Sequence, residues 1–128
     1  MSFEDMIADQ SEQVKKIAID LRQLILKTHP LITESIHGGA KVKLASYYIG
    51  SNFNVAAVIS PSKDHCKLYL HHFDKIDLLG WTLHGKGKHS RHLKIDVLSA
   101  VDITSIQNIL KEITDIVLIK ANNKSNKI

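Results

Sequence analysis

The spacing of apolar residues changes twice along the chain. Val14, Ile17, Ala18, Leu21, Leu24 and Ile25 recur at steps of three and four with Lys15, Lys16, Asp20, Arg22 and Gln23 between them. That pattern predicts a helix burying one stripe. Phe3, Met6 and Ile7 precede it and either extend it or form a separate turn. The helix stops at Thr28–Pro30, because a residue before proline avoids the helical region. A short second helical turn is expected in PLITESIHGG, where Pro30 suits a first helical position and Gly38 or Gly39 a left-handed end. Glu34 would lie in that turn.

From Lys41 onward β-branched and aromatic residues gather in short runs bounded by turn residues, which predicts strands. KLASYYI is the first, Gly50–Asn52 a hairpin loop, and FNVAAVIS a second, central strand with Phe53, Val55, Ala57 and Ile59 on one face. Pro61–Asp64 makes a turn, after which Cys66, Leu68 and Leu70 alternate with Lys67, Tyr69 and His71 in a third strand. Leu93, Ile95 and Val97 mark a fourth. The helical period then returns at Ile106, Ile109, Leu110, Ile113, Ile116 and Val117, with Asp102 or Thr104 placed to cap the helix. NNKSNKI has little to bury and is expected to fray. The outcome is an α+β fold: an antiparallel or mixed sheet covered on one face by the N-terminal and C-terminal helices, as one domain over residues 1–120 with a polar tail at 121–128.

Composition narrows the class without changing the fold. At 128 residues, 44% apolar and 23% charged, the chain resembles an ordinary globular domain, neither disordered nor fibrous. Its apolar runs are too short to span a membrane, and the acidic start MSFEDMIADQ lacks a secretory pattern, so a cytoplasmic location is expected. Cys66 is the only cysteine, which excludes an intramolecular disulfide and a multi-thiolate zinc site. On a strand's apolar face it reads as a small hydrophobe and not as a nucleophile.

Charge draws attention to LHGKGKHSRHLKI at residues 83–95. Its Lys86, Lys88, Arg91 and Lys94 account for the net +4; setting them aside leaves thirteen bases against thirteen acids. Glycine-containing loops present consecutive N–H groups to anions, and these cations could add charge-assisted hydrogen bonds to phosphate or carboxylate. The spacing matches neither a phosphate loop nor a dinucleotide fingerprint. The simpler reading is a basic turn whose Arg91 pairs with an acid such as Glu34. Eight histidines raise a metal reading. His71 and His72 are adjacent, so on a strand they face apart, whereas His89 and His92 could converge from the loop. No catalytic spacing stands out, and binding is expected rather than catalysis. Nucleic acid is the less favoured partner, because aromatics are 5% and +4 is a modest charge. Trp81 is expected to pack under a loop.

Taken together, LRQLILKTHPLITESIHGG, paired strands, LYLHHFDKI, GKGKHSRHLKI and DITSIQNILKEI resemble the YdhG-like domain of unknown function over roughly residues 17–119. Pro30, Glu34, Gly38 and the run at 85–95 carry the resemblance. It implies a frataxin-like α+β sandwich and an iron-chaperone role. Such a role would draw more naturally on exposed carboxylates, for which Glu4, Asp5, Asp9 and Glu12 are the candidates; the simpler reading of these acids is a solvated helix start that complements the helix dipole. The expected site is therefore an anion or small-ligand site at Glu34, Lys86, Lys88, Arg91 and Lys94, with metal at His89 and His92. The alternative is an interaction module for protein or nucleic acid.

Overall fold

The computed structural model describes residues 1–39 and 42–125. Phe3–Ile7 forms a separate first helix, α1, begun by a capping box in which Ser2 and Asp5 each accept the other's backbone N–H at 3.1 Å. Helix α2, Glu12–Thr28, starts where the Ser11 hydroxyl accepts the Val14 N–H and buries Val14, Ile17, Ala18, Leu21 and Ile25. It ends as His29 turns extended before Pro30.

The expected second helical turn is instead a strand. Thr33–Gly38 is β1, pairing antiparallel with β2, Lys43–Tyr48. Local helix signals there were a proline and two glycines; a hydrogen-bonding edge and a burial face for Glu34 and Ile36 outweigh them, since β-branched Thr33 and Ile36 suit a strand. Strands β3, Val55–Pro61, β4, Cys66–His71, and β5, Ser90–Ile95, complete an all-antiparallel meander in order β1-β2-β3-β4-β5. The β3 strand is central, as expected, but starts two residues late. Phe53 stays in the loop, 86% exposed, while the buried Asn54 amide donates to the carbonyls of Ile49 at 3.0 Å and Val117 at 2.7 Å. A register shift after Tyr47 leaves Ala56 without a Cα partner. Likewise β5 ends at Ile95 and Val97 is exposed.

Helix α3 runs Ala100–Ser125. Its first N–H groups are met by a second box, Ser99 with Asp102, and not by an Asp102 or Thr104 cap: Asp102 N–H donates to the Ser99 hydroxyl and Ser99 N–H to the Asp102 carboxylate, both at 3.1 Å. Helix persists through Ser125, past the expected start of the polar tail, because Ala121 still packs against the core; residues 126–128 lie outside the described residues. No helix among the described residues is long and apolar enough to cross a membrane.

The register explains how the sheet is sided. Tyr47, Ala57 and Leu70 lie in one cross-strand row and Ala45, Ile59, Leu68 and Leu93 in the next, all fully buried beneath α2 and α3. Intervening residues form the other face. The resulting α+β fold has a five-stranded antiparallel sheet with its helices on one face. Gly85, at φ 103°, turns the chain before β5. Gly87 is held to glycine by space, because a Cβ there would run into the Ser90 carbonyl.

Candidate functional site

Glu34 and Arg91, which the sequence suggested as partners, belong to the two outermost strands, on opposite edges of the sheet. With about 4.8 Å between neighbouring strands, three intervening strands keep them far beyond hydrogen-bond reach. Glu34 is held by α2 instead. Arg22 donates to it through Nε at 2.6 Å and Nη2 at 3.0 Å, and the Tyr47 hydroxyl at 2.8 Å. Burial alone would raise the Glu34 carboxyl; the hydrogen bonds from Arg22 and Tyr47 outweigh it and hold the group below its ordinary value. Burial and the same carboxylate push the Tyr47 phenol far up. The Arg22 guanidinium also lies 4.9 Å from the Phe3 ring centroid. Glu34 is thus the centre of a satisfied structural cluster joining α1, α2 and β1, with its donors already committed.

The basic run is divided among several surroundings. Arg91 turns toward the Phe73 ring, 4.9 Å from its centroid, and its Nε donates to the Gly87 carbonyl at 3.1 Å, tying the turn before β5 to its own strand. Lys86 is exposed on that turn. Lys94 faces the other side of the sheet directly opposite Lys67. His92 joins it there, its ring 4.9 Å from that of Tyr69 and stacked at 5.6 Å on His84. His84 reaches that position by bridging to β5, exchanging both backbone hydrogen bonds with His92 at 2.8 and 3.0 Å. Trp81 packs under its loop as expected, with its indole N–H on the Ser105 hydroxyl at 2.8 Å.

Lys88 and His89 have a different destination. With His71, His72, Lys75 and Lys120 they line a cavity of about 480 Å³ where the β2–β3 loop, the end of β4, the start of β5 and the last turns of α3 meet. Asp74 is the one acid in its wall, and Phe53 and Asn54 complete it. Each of these positions has a local cause. His72 takes a left-handed conformation, φ 58°, that ends β4 and starts the one-turn 3-10 helix Phe73–Lys75, sending Lys75 back over the cavity. Asn54 fixes the β2–β3 loop to α3 at Val117, one turn before Lys120. Arg91 secures the turn carrying Lys88 and His89.

Electrostatically this is a cationic hollow. Burial, followed by His89, holds the His71 imidazole below its ordinary value. Burial also lowers His72, reinforced by Lys120, Lys75 and His71 and opposed by Asp74. Burial first, and neighbouring cations second, therefore disfavour protonation of both rings, which an entering anion would favour. Among the described residues of the wall, only Asp74 carries a negative charge, and the lysines and histidines can donate hydrogen bonds.

The two proposed metal histidines do not share a setting: His89 faces the cavity beside His71, whereas His92 lies between Tyr69 and His84. Among the described residues no group of three His, Cys, Asp or Glu is arranged to hold a metal ion. The N-terminal carboxylates are dispersed as well. Asp5 serves the α1 capping box, Asp9 meets Lys43 at 3.4 Å, Glu12 meets Lys15 at 3.5 Å, and Glu4 lies near Arg22. Cys66 is fully buried, and desolvation pushes its thiol up to about 12.

Of the sequence candidates, only Lys88 and His89 enter the cationic cavity. Lys75, Lys120, His71 and His72 were missed as site residues, because they approach it from segments up to about fifty residues apart in the chain. Only the neighbouring HH at 71–72 gave a local signal. The fold and cavity define a two-layer α+β domain with a cationic hollow at one end of its sheet. Comparison with protein-family models, curated proteins and solved structures finds no match.

Proposed function

We propose that the domain binds a small, multiply charged anion, such as a di- or triphosphate group, in the cavity between β4, β5 and α3. The convergence of Lys75, Lys88 and Lys120 with three histidines around one 480 Å³ hollow carries this reading. Several ammonium groups around one volume repel one another in the empty protein, and an anion relieves that repulsion while accepting charge-assisted hydrogen bonds. Nothing in the wall resembles a nucleophile paired with a base, so the function is binding. Iron, implied by the YdhG-like resemblance, is less well served, since the candidate carboxylates are spread over separate ion pairs and caps. Calorimetric titration with inorganic pyrophosphate tests the proposal. Binding is expected to weaken at least about tenfold in the Lys88→Ala/Lys120→Ala double variant, the loss of two charge-assisted contacts. Affinity should also rise as pH falls from 8 to 6, because the bound anion favours protonated His71 and His72. An unchanged affinity in the double variant, or no binding by the wild type, sinks the reading.

A further inference from the structure

The sheet face turned away from the helices has a composition that the cavity does not explain. Among the described strand residues, its outward positions carry no Asp or Glu. Lys67 and Lys94 stand directly opposite each other on β4 and β5, an arrangement of like charges that costs stability unless something neutralises it. Beside them a strip of three rings crosses the sheet edge: Tyr69 on β4, His92 on β5, and His84 on the segment that bridges to β5. Tyr69 and His92 are half-buried against the sheet, so their rings are held in place. Two acids approach this face: Asp64 in the β3–β4 turn, already engaged by His65 at 2.6 Å, and Asp102 at the start of α3, which borders a hollow shared with His84 and Lys94 and accepts the Ser99 N–H at 3.1 Å.

We infer that this face binds single-stranded nucleic acid, bases stacking on Tyr69, His92 and His84 while Lys67 and Lys94 meet the phosphates. Charge complementarity selects a polyanion, and the neighbouring rings, His84 stacked on His92 and Tyr69 tilted 50° to it, select one with exposed flat faces. An unpaired strand supplies both at once, whereas a duplex hides its bases and an acidic peptide has no rings to stack. An open antiparallel sheet also offers a surface on which a strand can lie extended, adjacent rings accepting successive bases. The inference stands apart from the anion cavity, which lies at the end of the sheet and uses other lysines.

Fluorescence anisotropy with labelled oligo(U) and oligo(dT) of about 12 nucleotides, within the span of small single-strand binders, tests it. Tyr69→Ala is expected to weaken binding about tenfold, the usual loss of one stacked base. Lys67→Ala/Lys94→Ala should lower the slope of log K against log salt by about 1.4, or 0.7 for each phosphate contact removed from a single strand. Circular dichroism and urea unfolding confirm that these surface variants remain folded. The inference is overturned if neither oligonucleotide binds, if neither variant alters binding, or if a duplex or a polyglutamate peptide binds equally well. It is also overturned if Lys88→Ala/Lys120→Ala abolishes binding while Tyr69→Ala leaves it intact, which would place the contact in the cavity.

Discussion

Removing one oxygen from Tyr47 tests the assignment of Glu34 to structure. The Tyr47 ring is fully buried on the core face of β2, and its hydroxyl donates to Glu34 at 2.8 Å. Tyr47→Phe keeps the ring and deletes that donor; Arg22 still supplies two hydrogen bonds at 2.6 and 3.0 Å. The loss is one hydrogen bond to a charged acceptor, about 1.5–3 kcal/mol. Half-exposed Arg22 and its access to water put the expected value near the lower end, about 1.5 kcal/mol, or roughly 5 °C in melting temperature for a chain of this size. The pH dependence separates this cause from simple packing. The Glu34 carboxyl lies below its ordinary value in the folded protein, so it contributes stability above the ordinary carboxylate range, and that stability is lost as pH falls through the folded value. Deleting a donor to the carboxylate moves the folded value upward and removes part of that contribution. Urea unfolding of both proteins at pH 7 and near pH 3 should therefore show a large difference that narrows in acid. A difference below about 0.5 kcal/mol at pH 7, or one of equal size at both pH values, would refute the assignment.

Asn54→Leu removes both hydrogen bonds from the β2–β3 loop to Ile49 and Val117 and leaves two carbonyls without that donor; urea unfolding should show a loss of about 2–4 kcal/mol, and amide exchange should quicken in the last turns of α3. Gly87→Ala drives a Cβ into the Ser90 carbonyl, whereas nothing lies within 4 Å of a Cβ at Gly39. The first change should cost roughly 1–3 kcal/mol as backbone shifts to relieve the overlap, the second well under about 1 kcal/mol at an exposed site, compared by thermal melts. Cys66, buried with its thiol 3.7 Å from the Val14 carbonyl of α2 and raised to about 12, should resist a thiol-reactive dye at pH 8 until urea unfolds the chain; prompt labelling of the folded protein would show that this β4–α2 contact opens readily.

Periodicity alone was enough for α2, the three strands from Lys43 to His71 and the body of α3, because each buries a continuous face and so repeats at 3.6 or 2 residues. The run at 83–95 was recognisable as a turn entering a strand for the same reason. Elements whose partners lie far along the chain were not legible. The strand at Thr33–Gly38 exists because β2 offers it an edge, and Glu34 could not be assigned to Arg22 and Tyr47 without knowing that β1 and β5 lie at opposite edges. The same limit governed the site. Charge density in one sequence window singled out Lys86, Lys88, Arg91 and Lys94, but alternation along β5 sends Arg91 toward Phe73 and Lys94 to the opposite face. Lys88 instead meets Lys75 and Lys120, which the sequence holds far apart. Local periodicity therefore decided which residues are buried and in which elements, since burial is read one face at a time. Which charges stand together was decided only by tertiary structure, because strand order and side-chain direction, not sequence distance, set the spacing between charges.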